Sequence, residues 1–176
     1  MIRTLLDMFA RPSAEYHSVY DTVVGAARQP DWYRGGQVPD TLDGRFRVLS
    51  SLLALTILRM ERGDEETVRA SVHLTEAFIA DMDAQMREEG FGDPSLGKQV
   101  RSLVGALAAR VDRWRSLTED GRLEDGQPLT DAIRFSLYAG EDPGEAALTL
   151  AAEKLRAFND GLNGEDDRAI MAGRWQ

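Results

Sequence analysis

The stretch from Thr41 to Arg62 constrains the fold most, because its apolar residues recur every three to four positions on more than one side. This spacing predicts an α-helix, and a helix that is apolar on most sides is usually central to its domain. Its longest uncharged run, Val48 to Leu58, is about half of the ~20 residues that a membrane-spanning helix needs. We therefore expect a central buried helix, with one face formed by Leu42, Phe46, Leu49, Leu53, Ile57 and Met60.

The rest of the chain also shows helical periodicity, with proline, glycine and aspartate at the predicted helix ends. No strand-like alternation of useful length is present. The pattern predicts an all-α protein, a single compact domain of about six to seven helices. We expect an amphipathic arm at residues 1–12, the helical domain at 13–162 and a polar C-terminal tail at 163–176. In the helix predicted from Glu66 to Glu89, the apolar stripe is Val68, Val72, Thr75, Ile79, Met82 and Met86.

Composition and spacing argue against several kinds of function. The 176 residues include no cysteine, which excludes a disulfide, a thiol nucleophile and a cysteine-ligated metal cluster. A formal net charge of −9 weighs against non-specific nucleic-acid binding as the main task, and we expect no specific nucleic-acid partner. The two histidines, His17 and His73, fit no metal-ligand spacing, and Ser95 has no candidate base nearby in the sequence. We expect no catalytic residue, no metal and no cofactor.

The stretch from Val38 to Phe46 is dense in proline, glycine and charged residues and stands at the start of the predicted central helix. Asp40 or Thr41 is placed to accept hydrogen bonds from the free N–H groups of the first turn. Asp43 adds negative charge where the helix dipole favours it. Arg45 either pairs with a neighbouring aspartate or faces a partner, and both readings stay open.

A second dense stretch, Asp81 to Lys98, covers the end of one predicted helix, a glycine-rich turn and the start of the next helix. Gly90 stands where a left-handed C-terminal residue belongs. Asp83 and Arg87 are four positions apart and are expected to pair. Helical projection places Asp81 on a different side from Asp83, so the two cannot converge on one metal ion. The cluster either fixes a helical corner through ion pairs or forms a recognition surface.

Together the two stretches resemble the signature of the ubiquinol–cytochrome c chaperone family. The resemblance covers Tyr20 to Tyr138, and it includes the segment from Ala26 to Tyr33 and the pair Arg110 and Trp114. It implies a helical assembly factor for the cytochrome bc complex, respiratory complex III, that binds newly made cytochrome b. The first residues form too short and too interrupted an apolar run for a secretory signal, so we expect a cytoplasmic protein, and the short chain resembles a bacterial family member. Attachment to the inner membrane, a small partner protein and contact with the ribosome or membrane surface stay open.

The partner-binding residues that we predict combine both signature stretches with two cations of the following helix. The side with Arg45, the turn from Gly90 to Gly92, Lys98 and Arg101 offers cations next to an aromatic ring and is the expected docking face. Two alternatives are a membrane-surface module, which would use the N-terminal arm and this basic helix, and an enzyme of unknown chemistry. The full predicted set is Asp40, Asp43, Arg45, Phe46, Asp81, Asp83, Arg87, Glu88, Phe91, Asp93, Lys98 and Arg101.

Overall fold

The computed structural model describes residues 14–88, 90 and 92–175, and within these ranges the chain contains helices and no strands. The all-α prediction is therefore confirmed, with eight helices, six of them of seven residues or more. The amphipathic arm predicted at residues 1–12 lies outside the described residues. The helices are α1 (Ala14–Ala27), α2 (Asp31–Arg34), α3 (Leu42–Met60), α4 (Glu65–Glu88), α5 (Asp93–Arg115), α6 (Gln127–Tyr138), α7 (Glu145–Gly164) and α8 (Asp167–Met171).

Helix α3 is the centre of the fold, as its apolar pattern predicts. It packs against α1, α4, α5, α6 and α7, and Leu52 and Leu53 are fully buried. Three hydroxyl residues are buried within it, and each donates to a backbone carbonyl oxygen one turn earlier, at 2.7–2.9 Å. Because these hydrogen bonds stay within the helix, the hydroxyls need no partner elsewhere in the core. These residues are Ser50, Ser51 and Thr56.

The buried face of helix α4 agrees with the predicted stripe at Met82 and Met86 and differs from it in the first half of the helix. Val68 and Val72, which began the predicted stripe, are 39% and 58% exposed. Leu74 and Phe78, one and zero per cent exposed, take the core positions instead, because burying these larger side chains removes more apolar area from water. The buried face consists of Thr67, Ala70, Ser71, Leu74, Phe78, Met82 and Met86.

The C-terminal segment differs from the polar tail that we expected from residue 163 onward. It forms the end of α7 and all of α8, and it buries Ile170 and Trp175. Arg59 of α3 holds this segment, because its guanidinium donates to Asp167 Oδ1 at 2.8 Å and to the Glu165 carbonyl oxygen at 2.7 Å. The segment is therefore packed on the helical domain.

Candidate functional site

A cavity of about 490 Å³ lies between α1, α2, α3 and α4. It brings both signature stretches together, since one supplies the start of α3 and the other the C-terminal half of α4. The predicted residues Asp40, Arg45, Phe46 and Asp81 all line it. The other lining residues are Val24, Ala27, Arg28, Pro30, Tyr33, Arg34, Leu42, Leu49, Met82 and Gln85.

The inner wall of the cavity is apolar. Phe46 and Leu49 of α3 are each 7% exposed, and Met82 of α4 is 4% exposed. Phe46 also packs against Phe78, with 5.9 Å between ring centroids. Leu42, at the outer end of the same α3 face, is 37% exposed. The cavity therefore offers a hydrophobic surface that reaches from the core to solvent.

The loop before α3 is held tightly against the first turn of that helix. Thr41 caps α3, since its side-chain oxygen accepts a hydrogen bond from Gly44 N at 3.1 Å. The carbonyl group of Pro39 lies so close to Gly44 that a Cβ atom there would overlap its oxygen. Arg45 Nε donates to Asp40 Oδ1 at 2.7 Å, although both side chains are largely exposed. Of the two readings left open for Arg45, pairing with an aspartate is observed.

Asp81 connects α4 to α1 at the edge of the cavity. The Tyr20 hydroxyl donates to Asp81 Oδ2 at 2.7 Å. Burial of Tyr20, together with this hydrogen bond, raises the pKa of its hydroxyl far above the ordinary value, so the group stays a donor. The contact joins two packed helices that both line the cavity.

The pairing predicted between Asp83 and Arg87 is confirmed, with Arg87 Nε donating to Asp83 Oδ2 at 2.8 Å. Gly90 has a φ of 87°, the left-handed conformation predicted for the residue after α4. Asp81 instead bonds to Tyr20, so the two aspartates do not share a partner here. Among the described residues, no group of three or more His, Asp or Glu side chains is arranged to hold a metal ion.

Several other predicted site residues lie apart from the cavity. Asp43 pairs with Arg47 at 2.5 Å in the first turns of α3. Asp93 is the first residue of α5, and Phe91 lies outside the described residues. Arg45 lines the cavity, whereas Lys98 and Arg101, the predicted cations of α5, do not. The described side chains of the predicted set that do not line the cavity are Asp43, Asp83, Arg87, Glu88, Lys98 and Arg101.

Comparison with known proteins gives the family. The chain matches the family described as "Ubiquinol-cytochrome C chaperone" over residues 34–176, which contain both signature stretches. The chain belongs to this chaperone family. It is also similar to the Cbp3 homolog from Brucella abortus, whose crystal structure it matches with a TM-score of 0.78 and 28% sequence identity. That match covers 100% of this chain and 97% of the homolog. No curated protein matches the chain.

In this chaperone the rim of the cavity contains two cations that we did not predict as site residues. Arg28 follows α1 and Arg34 ends α2, and both side chains are exposed. Within the described ranges neither forms a salt bridge, whereas Arg45 is paired with Asp40. The only sequence signal for them was their position in or beside the Ala26–Tyr33 segment. The arrangement is an apolar cavity with unneutralised cations at its edge, on a chain with a formal net charge of −9.

None of the described helices is both long enough and apolar enough to cross a bilayer. This finding agrees with the short apolar run in α3, which is buried within the protein.

Proposed function

We propose that this chaperone supports assembly of the cytochrome bc complex by binding newly made cytochrome b at the cavity between α1, α2, α3 and α4. The observation that carries this proposal is the convergence of both signature stretches on one apolar cavity. Family membership supports the assembly role, and the cavity supplies a site at which a client could be held.

The size and lining of the cavity suit a segment of a membrane protein. A volume of about 490 Å³ accommodates a few apolar side chains and is too small for a whole helix. Newly made cytochrome b exposes long apolar segments until its own helices pack together. Burying even a few of their side chains against Phe46, Leu49 and Met82 would anchor a segment and hold it away from other chains.

The cations at the rim suit the polar ends of such a segment. Backbone carbonyl oxygens and carboxylates at a helix end are good acceptors for a guanidinium group, which donates up to five hydrogen bonds. Arg28 and Arg34 are available for this contact, because neither is neutralised by a carboxylate among the described residues. An apolar centre with arginine at its edge is the usual composition of a binding surface.

A charge-reversal experiment tests the proposal. The variant Arg28→Glu with Arg34→Glu changes two exposed side chains and should leave the helical circular-dichroism spectrum unchanged. We expect tagged variant protein to recover little cytochrome b from solubilised membranes, and cells carrying it to lack assembled cytochrome bc complex. The matched control is Arg122→Glu with Arg168→Glu, which makes the same change of charge at exposed residues outside the cavity lining. Equal recovery of cytochrome b by both double variants would contradict the cavity assignment.

We further propose that the protein acts by binding alone, without catalysis. We place it in the bacterial cytoplasm, where it meets cytochrome b at the inner membrane as a peripheral protein. The similarity to a Brucella abortus homolog over the whole chain supports the bacterial assignment. Fractionation of cells, followed by a salt wash of the membranes, tests the location, because a peripheral protein held by charge is released by salt.

A further inference from the structure

Arg110 is a buried cation that has no carboxylate partner among the described residues. It lies in α5 with 7% of its surface exposed, and it donates to the backbone carbonyl oxygens of Ala106 and Ser136 at 3.1 and 2.9 Å. Its guanidinium carbon lies 5.4 Å from the centre of the Phe46 ring. Its Nε atom is buried and has no hydrogen-bond acceptor within the described part of the chain. The carbonyl oxygens and the ring stabilise the guanidinium in part, but none of them carries a negative charge that would neutralise it.

Two further arginines increase the positive charge around Arg110. Burial, aided by the charges of Arg47 and Arg113 and opposed by Asp43, lowers the pKa of Arg110 to about 10. Asp43 is itself engaged with Arg47 at 2.5 Å. No described carboxylate pairs with Arg110 or Arg113, so the surface carries an excess of positive charge. The cost of an unpaired charge falls on Arg110, which is buried, whereas Arg113 is exposed to water.

The surface above Arg110 also exposes an aromatic ring. Phe135 of α6 is 45% exposed, and the guanidinium carbon of Arg113 lies 3.8 Å from the centre of its ring. Arg113 is exposed and makes no salt bridge within the described ranges. The stacking leaves the N–H groups at the edge of the guanidinium plane free to donate to a carboxylate. We name Arg110, Arg113 and Phe135 the arginine–phenylalanine surface.

We propose that the arginine–phenylalanine surface docks a short acidic segment of a partner polypeptide, with a carboxylate on Arg113 and an apolar side chain on Phe135. Charge complementarity selects this occupant, since the surface has an excess of cations on a chain of formal net charge −9. Attraction to an anionic membrane takes a cluster of about four to eight cations, more than this surface provides. Phe46 lines the cavity and its ring also contacts Arg110, so the two surfaces are adjacent.

The proposal is tested with the full purified chain and labelled peptides by fluorescence anisotropy. One peptide alternates Glu and Leu, and the other has Gln in place of every Glu. We expect the Glu peptide to bind more tightly than the Gln peptide, and the Arg113→Gln and Phe135→Ala variants each to weaken its binding about tenfold. The control Arg122→Gln removes another exposed arginine, which lies outside this surface, and should bind like the unchanged chain.

Any one of the following three results would overturn the proposal. Equal affinity for the Glu and Gln peptides would show that carboxylates are not recognised. Unchanged binding in both surface variants, checked for a normal helical spectrum, would place the peptide elsewhere. Vesicles containing phosphatidylglycerol serve as a third probe. If the chain binds these vesicles but neither peptide, and Arg113→Gln abolishes the vesicle binding, the surface binds lipid instead. The Arg28→Glu and Arg34→Glu double variant should keep peptide binding, which separates this surface from the cavity.

Discussion

Substituting Gly44 by alanine tests how tightly the first signature stretch is folded onto α3. Gly44 lies in the first turn of that helix, three residues after the cap Thr41. A Cβ atom at this position would overlap the Pro39 carbonyl oxygen, lie 2.9 Å from the carbonyl carbon and lie 3.4 Å from Val38 Cγ1. The neighbour is backbone, which cannot rotate away as a flexible side chain would. The loop from Val38 to Asp40 must therefore move away from the helix.

The size of the effect follows from three contributions. Forcing a methyl group into a packed site costs about 1–3 kcal/mol. Displacement of the loop also weakens the Thr41 cap, which contributes about 1 kcal/mol. Alanine in a helix gains about 0.5–1 kcal/mol over glycine, which offsets part of this loss. We expect the free energy of unfolding to fall by about 2 kcal/mol, which lowers the Tm of a chain of this length by about 4–8 °C.

Thermal and urea unfolding of Gly44→Ala and Gly105→Ala measure this effect with an internal control. Gly105 lies within α5, and a Cβ atom there meets nothing within 4 Å. Alanine at position 105 should therefore raise the free energy of unfolding by about 0.5–1 kcal/mol. The two substitutions are chemically identical and are expected to have opposite signs. A Gly44→Ala variant as stable as the unchanged chain would refute the close packing of Pro39 on α3.

Two more substitutions test the contacts that hold the fold and the cavity. Tyr20→Phe removes the hydrogen bond to Asp81 and should lower the free energy of unfolding by about 1.5 kcal/mol. This value is the low end for a hydrogen bond to a charged group, because Asp81 is only half-buried. An unchanged urea midpoint would show that the bond contributes nothing. Leu53→Asp places an unpaired charge at a fully buried position of α3 and should abolish cooperative unfolding. Normal cooperative melting of that variant would mean that α3 is not central.

The sequence predicted the helices better than the faces that they bury. Helix α3 was predictable because it is apolar on most sides, so its placement did not depend on choosing a face. Helix α4 has two apolar stripes, one with Val68 and Val72 and one with Leu74 and Phe78. Both have helical spacing, and the choice between them depends on packing against α1, α3 and α5, which no local pattern specifies.

For the site, predictability depended on separation along the chain. The pair Asp83 with Arg87 was predictable because helical geometry brings residues four apart together. Pairing of Arg45 with an aspartate of the neighbouring loop was one of two interpretations that the sequence left open, and the partner is Asp40. The bond from Tyr20 to Asp81 spans 61 positions, and nothing in either local sequence specifies it. The predicted union of Arg45 with Lys98 and Arg101 stays a prediction, since the cavity includes only the first of these residues.

The signature residues and the cations at the rim have different physical roles in the cavity. Gly44 lets the Pro39 loop pack on α3, and Asp81 fixes α4 to α1, so these residues determine the shape of the cavity. Arg28 and Arg34 support no described element through an ion pair, so their charge is available to a client. Loss of the shape-determining contacts should therefore reduce both the free energy of unfolding and the recovery of cytochrome b. Reversal of the rim charges should reduce recovery alone, and a variant of either class that breaks this correlation would reassign its residue.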